Sequence, residues 1–169
     1  MRLLFAIIGL LLPQALWAQF LNSFEPGSYR LVNSPGVRHQ SLLKLRDNDQ
    51  LVAKNDHDNK VKLTPQEVAS FQIGERKYIT AGNFELSSGP FGTTVDLAFV
   101  ERLDSGYVSL LRYTYFTGIG PNGGGGYTGV LYLLKWVQET GFSSIPSGGL
   151  LSDIKFREAL QRHLANWPD

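Results

Sequence analysis

The sequence predicts a mainly β fold: an antiparallel sandwich or partly open barrel, with one short helical turn near Thr64–Val68 and a C-terminal α-helix. Three observations lead there. Short apolar-alternating runs recur along most of the chain, clusters of Asn, Asp, Gly and Ser separate them, and only the last stretch repeats apolar residues at helical spacing. The pattern leaves sandwich and barrel open.

The chain starts with Arg2, an apolar run from Leu3 to Leu12 broken at Pro13, and then Ala15-Leu16-Trp17-Ala18. A positive charge, an apolar run too short to span a bilayer and a small-residue exit, in that order, read as a secretory signal peptide over 1–18. Cleavage after Ala18 leaves 19–169, about 150 residues, which is one domain able to bury roughly 70% of its unfolded surface.

Ser28 to Val32 is the first strand expected in that domain, and Ser34-Pro35-Gly36 is expected to turn the chain. A meander follows: Ser41 to Arg46, Leu51 to Lys54 and Lys60 to Leu63, separated by Asp47-Asn48-Asp49-Gln50 and Asn55-Asp56-His57-Asp58-Asn59. Asn and Asp suit such turns because their short side chains bond the local backbone and tolerate left-handed conformations. Thr64-Pro65-Gln66-Glu67 carries a capping-box signature, hence the helical turn. Ala69 to Ile73 and Arg76 to Thr80 form a hairpin across Gly74-Glu75, with Phe71, Ile73, Tyr78 and Ile79 as core candidates.

Thr93 to Leu103 reads as one strand with Val95, Leu97 and Phe99 on a shared face, turning at Asp104-Ser105-Gly106 into Tyr107 to Phe116. Tyr127 to Val137 has two apolar faces and is expected at the centre of a sheet. Ser143 to Gly149 is expected to be a loop. The terminal helix should run over about 152–166, with Ser152 as cap, Asp153 at its positive end, and Phe156, Ala159, Leu160, Leu164 and Trp167 toward the sheet.

Charge and composition exclude several function classes. Arg2 is the only charge in 1–18, so cleavage leaves fifteen Lys and Arg against fifteen Asp and Glu. A neutral domain has no electrostatic footprint for nucleic acid or for a polybasic membrane mode. The absence of cysteine excludes disulfides, thiol chemistry and a lipidated cysteine. No second apolar stretch reaches spanning length, so no transmembrane anchor is expected.

Gly118, Gly120 and Gly123 match a G-x-G-x-x-G pattern, but Gly124, Gly125, Gly126 and a strand follow where a dinucleotide site needs a helix. This segment reads as a flexible hairpin tip, and no cofactor is called for. Asp56, His57 and Asp58 are adjacent but lack the spacing of a calcium loop, so no metal site is expected. His39, His57 and His163 lie far apart, and Ser87-Ser88-Gly89 is no nucleophile elbow. Asp96 and Glu101, five apart, fall on opposite faces of a regular strand and make a poor acid/base pair. No catalytic residue is assigned. Aromatics concentrate in two neighbouring strands, and Tyr107, Tyr113 and Tyr115 share one alternation face; these three are the candidate binding residues.

Phe24-Glu25-Pro26-Gly27-Ser28-Tyr29, Leu63 to Val68, Phe71 to Tyr78 and the closing Phe156 to Leu160 give the chain a further likeness. It resembles a loose group of short, uncharacterised exported bacterial proteins with a β-rich body and a C-terminal helix. The resemblance implies a Gram-negative envelope and carries over no active-site residue. The expectation is therefore a periplasmic or extracellular, non-enzymatic domain that binds a protein or glycan of the cell envelope. The alternatives are a carrier with a small apolar ligand inside a barrel, and a hydrolase whose site is assembled from separate strands.

Overall fold

The structure, a computed structural model, describes residues 23–54, 59–86, 93–117 and 126–147, together with 157, 158 and 161. Among the described residues twelve strands follow one another: β1 (Glu25–Leu31), β2 (Ser34–Arg46), β3 (Gln50–Lys54), β4 (Lys60–Leu63), β5 (Val68–Ile73), β6 (Arg76–Ala81), β7 (Phe84–Leu86), β8 (Thr93–Val95), β9 (Ala98–Asp104), β10 (Val108–Thr117), β11 (Tyr127–Trp136) and β12 (Ser143–Ser147). Ten of them make one sheet in the order β12-β11-β10-β9-β6-β5-β1-β2-β3-β4, and β7 pairs with β8. Every pairing is antiparallel. The fold is thus mainly β, and among the described residues β4 and β12 remain as edges, so the sheet does not close.

The large sheet curls. The amide of Phe99 in β9 donates to the carbonyl of Asn48, beside β2, at 2.7 Å. Four strand spacings separate β9 from β2 in the sheet order, roughly 19 Å in a flat sheet, so that bond requires the sheet to bend round on itself. The concave side holds Leu43, Leu51, Ala53, Leu63, Val68, Phe71, Ile73, Tyr78 and Phe99. Phe71 stacks on Tyr78 at 4.6 Å and meets Phe99 edge to face at 5.0 Å, an arrangement that suits the ring quadrupoles. Burial pushes the Tyr78 hydroxyl pKa above its ordinary value, because the phenolate would lose its hydration there.

A second core uses the opposite face. Ala81, Val100, Leu111, Leu131 and Leu133 pack with Phe84, which the β7–β8 hairpin brings over them. Consecutive residues of β9 therefore serve different cores: Phe99, 1% exposed, enters the first and Val100, fully buried, the second. Successive strand side chains point to opposite faces, so a strand buried between two cores needs apolar residues at every position.

Most expected strands are present, including the hairpin across Gly74-Glu75, where Gly74 takes the left-handed φ of 55° that the turn requires. Phe71, Ile73 and Tyr78 lie in the first core, whereas Ile79 packs against the second. Asp47 at the β2–β3 turn also has positive φ, 51°. β11 lies between β10 and β12, inside the sheet as its two apolar faces imply.

Three expectations are corrected. Ser34-Pro35-Gly36 does not turn; it starts β2, and the turn is Val32-Asn33, with Leu31 paired to Ser34. β3 pairs with Leu42 to Arg46, so among the described residues Pro35 has no strand neighbour on that side and its missing N–H breaks no ladder there. At Thr64–Val68 the chain makes the single turn the capping signature implies: Glu67 N–H and Val68 N–H both donate to the Thr64 carbonyl, at 3.0 and 3.1 Å. The Glu67 carboxylate accepts the Thr64 N–H and hydroxyl, each at 2.8 Å, as the capping signature implies, but the core then takes Val68 directly into β5.

Thr93 to Leu103 breaks at Asp96-Leu97 into β8 and β9, which lets β8 leave the main sheet and carry Val95 onto the second core. The Asp96 carbonyl accepts the Asn83 N–H at 3.3 Å where the two chains cross. Ser143 to Ser147 is an edge strand, β12, because the exposed ladder of β11 offers it a partner and Ile145 becomes buried. The C-terminal helix over 152–166 lies outside the described residues save Arg157, Glu158 and Gln161, and the signal peptide over 1–18 lies wholly outside them.

Candidate functional site

A broad, open concavity carrying candidate residues lies where the N-terminal curl meets the outer ends of β10 and β11. Alternation along β10 puts Leu111, Tyr113 and Tyr115 on the face of the second core. Tyr113 is fixed edge to face against Phe84 at 5.2 Å and lies nearly parallel to Tyr115, the two rings stacked with centroids 6.2 Å apart at 17°. Tyr115 pairs with Gly129 of β11, where a β-carbon would come within 2.7 Å of the ring Cε2 and of the hydroxyl. Glycine at 129 is thus what lets the Tyr115 ring lie over β11, and the two parallel tyrosines form a supported aromatic platform.

Leu86, Val95 and Leu97 flank the platform, and the β2–β3 turn, Asp47-Asn48-Asp49, stands across from it. That turn is pinned at two points: its Asn48 carbonyl accepts the Phe99 N–H, and the Asn48 side-chain amide donates to the Thr114 carbonyl. The resulting cleft measures about 600 Å³ and is also lined by Phe116, 70% exposed, and Thr128. Apolar walls with a few convergent carboxylates and hydroxyls suit a ligand that is flat and apolar on one side and hydroxylated on the other.

Of the three tyrosines singled out by sequence, the structure brings two together. Tyr107 precedes β10 and lies roughly 20 Å along the strand from Tyr113, by the rise per residue. It is half exposed; its hydroxyl accepts Gln138 Nε2 at 2.9 Å and its carbonyl accepts the Val137 N–H. Gly118, Gly120, Gly123, Gly124 and Gly125 lie outside the described residues, as do Asp56, His57, Asp58 and His163; Gly126 is half-buried beside the start of β11. His39 stacks on Tyr29 at 5.0 Å, with its Nε2 buried and unbonded.

Among the described residues no three His, Cys, Asp or Glu side chains gather to hold a metal ion. Asp96 is at the β8–β9 break, while Glu101 Oε2 accepts Arg112 Nε at 3.0 Å and Nη2 at 2.5 Å. This hydrogen-bonded contact pushes the Arg112 guanidinium pKa upward, and it occupies the Glu101 carboxylate. A further ion pair, Arg76 with Glu25 at 3.0 Å, is at the surface. No helix of the described residues is long and apolar enough to cross a membrane.

Sequence reasoning did not place Asp47, Asn48 and Asp49 opposite the tyrosines, nor Thr128 and Phe116 beside them. Their sequence signal was a turn and two strand positions; the juxtaposition depends on the curl of the sheet. The chain matches no known protein family, no curated protein and no solved structure.

Proposed function

We propose that this protein is an exported, non-enzymatic binding domain of the bacterial envelope whose ligand is a glycan, held in the cleft between β10–β11 and the β2–β3 turn. The observation that carries this reading is the Tyr113–Tyr115 platform facing a turn with two carboxylates. A sugar ring presents C–H groups on one face and hydroxyls around its rim. The platform takes the C–H face by stacking, and the carboxylates of Asp47 and Asp49 are placed to accept at the rim. Phe84 and Gly129 hold the platform before any ligand arrives, which lowers the ordering entropy that binding must overcome.

The test is a glycan array followed by calorimetry on the glycans retained. Tyr115→Ala is expected to weaken binding by about tenfold, the loss of one stacked aromatic, while Tyr107→Ala leaves it unchanged. An array with no retained glycan, or equal losses for the two substitutions, overturns the assignment.

A further inference from the structure

On the opposite side of the N-terminal strands from the first core, the ladder lines up a row of polar residues. Arg102 of β9 stands directly opposite Lys77 of β6, Lys77 opposite Gln72 of β5, and Gln72 opposite Ser28 of β1. In the adjacent row Arg30 stands opposite Ser70. Arg38 of β2 reaches across, donating from Nε to Ser28 Oγ at 2.8 Å and from Nη2 to Gln72 Oε1 at 3.3 Å.

The short side chains of Ser28 and Ser70 make a floor, and the longer Arg30, Arg38, Lys77 and Arg102 stand round it, leaving a recess of about 240 Å³. Among the described residues no acidic side chain lines it. Among the described residues the side chains of Arg30, Lys77 and Arg102 make no hydrogen bond or ion pair. Four cations in one recess is an arrangement that folding alone does not favour, since like charges directly opposite in a ladder repel.

We infer that this recess is a binding site for a phosphate-class oxyanion, separate from the aromatic cleft. Guanidinium groups present N–H pairs at the spacing of two oxygens on one phosphorus, and Lys77 adds a point charge. Ser28, 5% exposed, accepts from Arg38 and keeps its own O–H to donate, so the floor supplies a neutral donor beneath the cations. A tetrahedral oxyanion satisfies these donors together and removes the repulsion between Arg102 and Lys77. The chain's net charge, only +1, does not oppose this, because attraction at this range is set by the local cluster.

The phosphate can belong to a small soluble ligand or to a lipid headgroup, and two measurements separate them: calorimetry of the full chain with inorganic phosphate, and co-sedimentation with phosphatidylglycerol vesicles against phosphatidylcholine vesicles. The variant is Lys77→Gln with Arg102→Gln, and Lys62→Gln on the exposed face of β4 is the control. Saturable binding of phosphate that falls about tenfold or more in the double variant, and not in the control, supports a soluble ligand. The same pattern with phosphatidylglycerol vesicles only supports a headgroup. No binding in either arm, or a loss that Lys62→Gln matches, overturns the inference. The double variant is expected to melt no lower than the parent, since it removes a like-charged pair from the surface, which separates loss of the site from loss of the fold.

Discussion

β9 sits between two cores, and a double-mutant cycle tests that directly. Phe99→Leu perturbs only the concave core, where the ring meets Phe71 edge to face at 5.0 Å. Val100→Ala perturbs only the core beneath the β7–β8 hairpin. With both side chains fully buried, Phe99→Leu should cost about 1–2 kcal/mol, the reshaping of a packed aromatic site. Val100→Ala should cost about 2 kcal/mol, from two deleted methyl groups and the cavity left behind. A domain of this size is stable by about 5–15 kcal/mol, so each single and the double variant stay folded in water. Unfolding in urea followed by circular dichroism gives each value. The two losses should add within about 0.5 kcal/mol despite the residues being neighbours in the chain, because their side chains share no partner. Phe99→Leu combined with Phe71→Leu is the internal contrast: these rings touch, and their cycle should show about 0.5–1.5 kcal/mol of coupling. Coupling between 99 and 100 as large as that between 71 and 99 would refute the two-core description of the sheet.

Two pH measurements follow from the same packing. The Thr64 N–H, and secondarily its hydroxyl, stabilise the Glu67 carboxylate and lower its pKa, so its midpoint by NMR titration should fall below the ordinary glutamate value of about 4.3. Thr64→Val should bring it part of the way back, since the N–H remains; a midpoint at or above the ordinary value in the parent chain contradicts the turn geometry. A depressed carboxylate pKa adds stability above the unfolded-state value, and that contribution is lost as pH falls through the folded-state one. For Tyr78 the sign is reversed. Its pKa is raised chiefly by burial, so its stabilising contribution is complete below about pH 10 and is lost as pH rises through the folded-state value. Ultraviolet titration should therefore show one tyrosine ionising late, and Tyr78→Phe should remove that late step; its persistence in the variant would place the shift on another residue.

What could be read from the sequence is what neighbours in sequence decide. The Gly74-Glu75 hairpin was legible because alternation on both sides and a glycine tolerant of positive φ pointed to the same register. The mainly β class was legible for the same reason, repeated along the chain. β12 was not, because Ser143-Ser144-Ile145-Pro146-Ser147 has the composition of a loop and becomes a strand only when the edge of β11 lies beside it. The break at Asp96-Leu97 was hidden too: alternation runs unbroken through it, and the change of partner from β7 to β6 is a tertiary event.

One local trace of that event does exist, the three consecutive buried residues Ala98, Phe99 and Val100, which no one-sided strand would carry. The cleft divides the same way. Tyr113 and Tyr115 could be named from residue type and parity, and Tyr107 with them, since parity alone does not encode distance along a strand. Asp47, Asn48 and Asp49 could not, because Asn48 meets Thr114 only after the sheet has bent through the strands between them. A platform built on a regular strand is thus visible in one dimension. The groups that would give it selectivity come from the curl, and the curl is written in which face of each strand is apolar, a property that becomes a contact only when all the strands are in place.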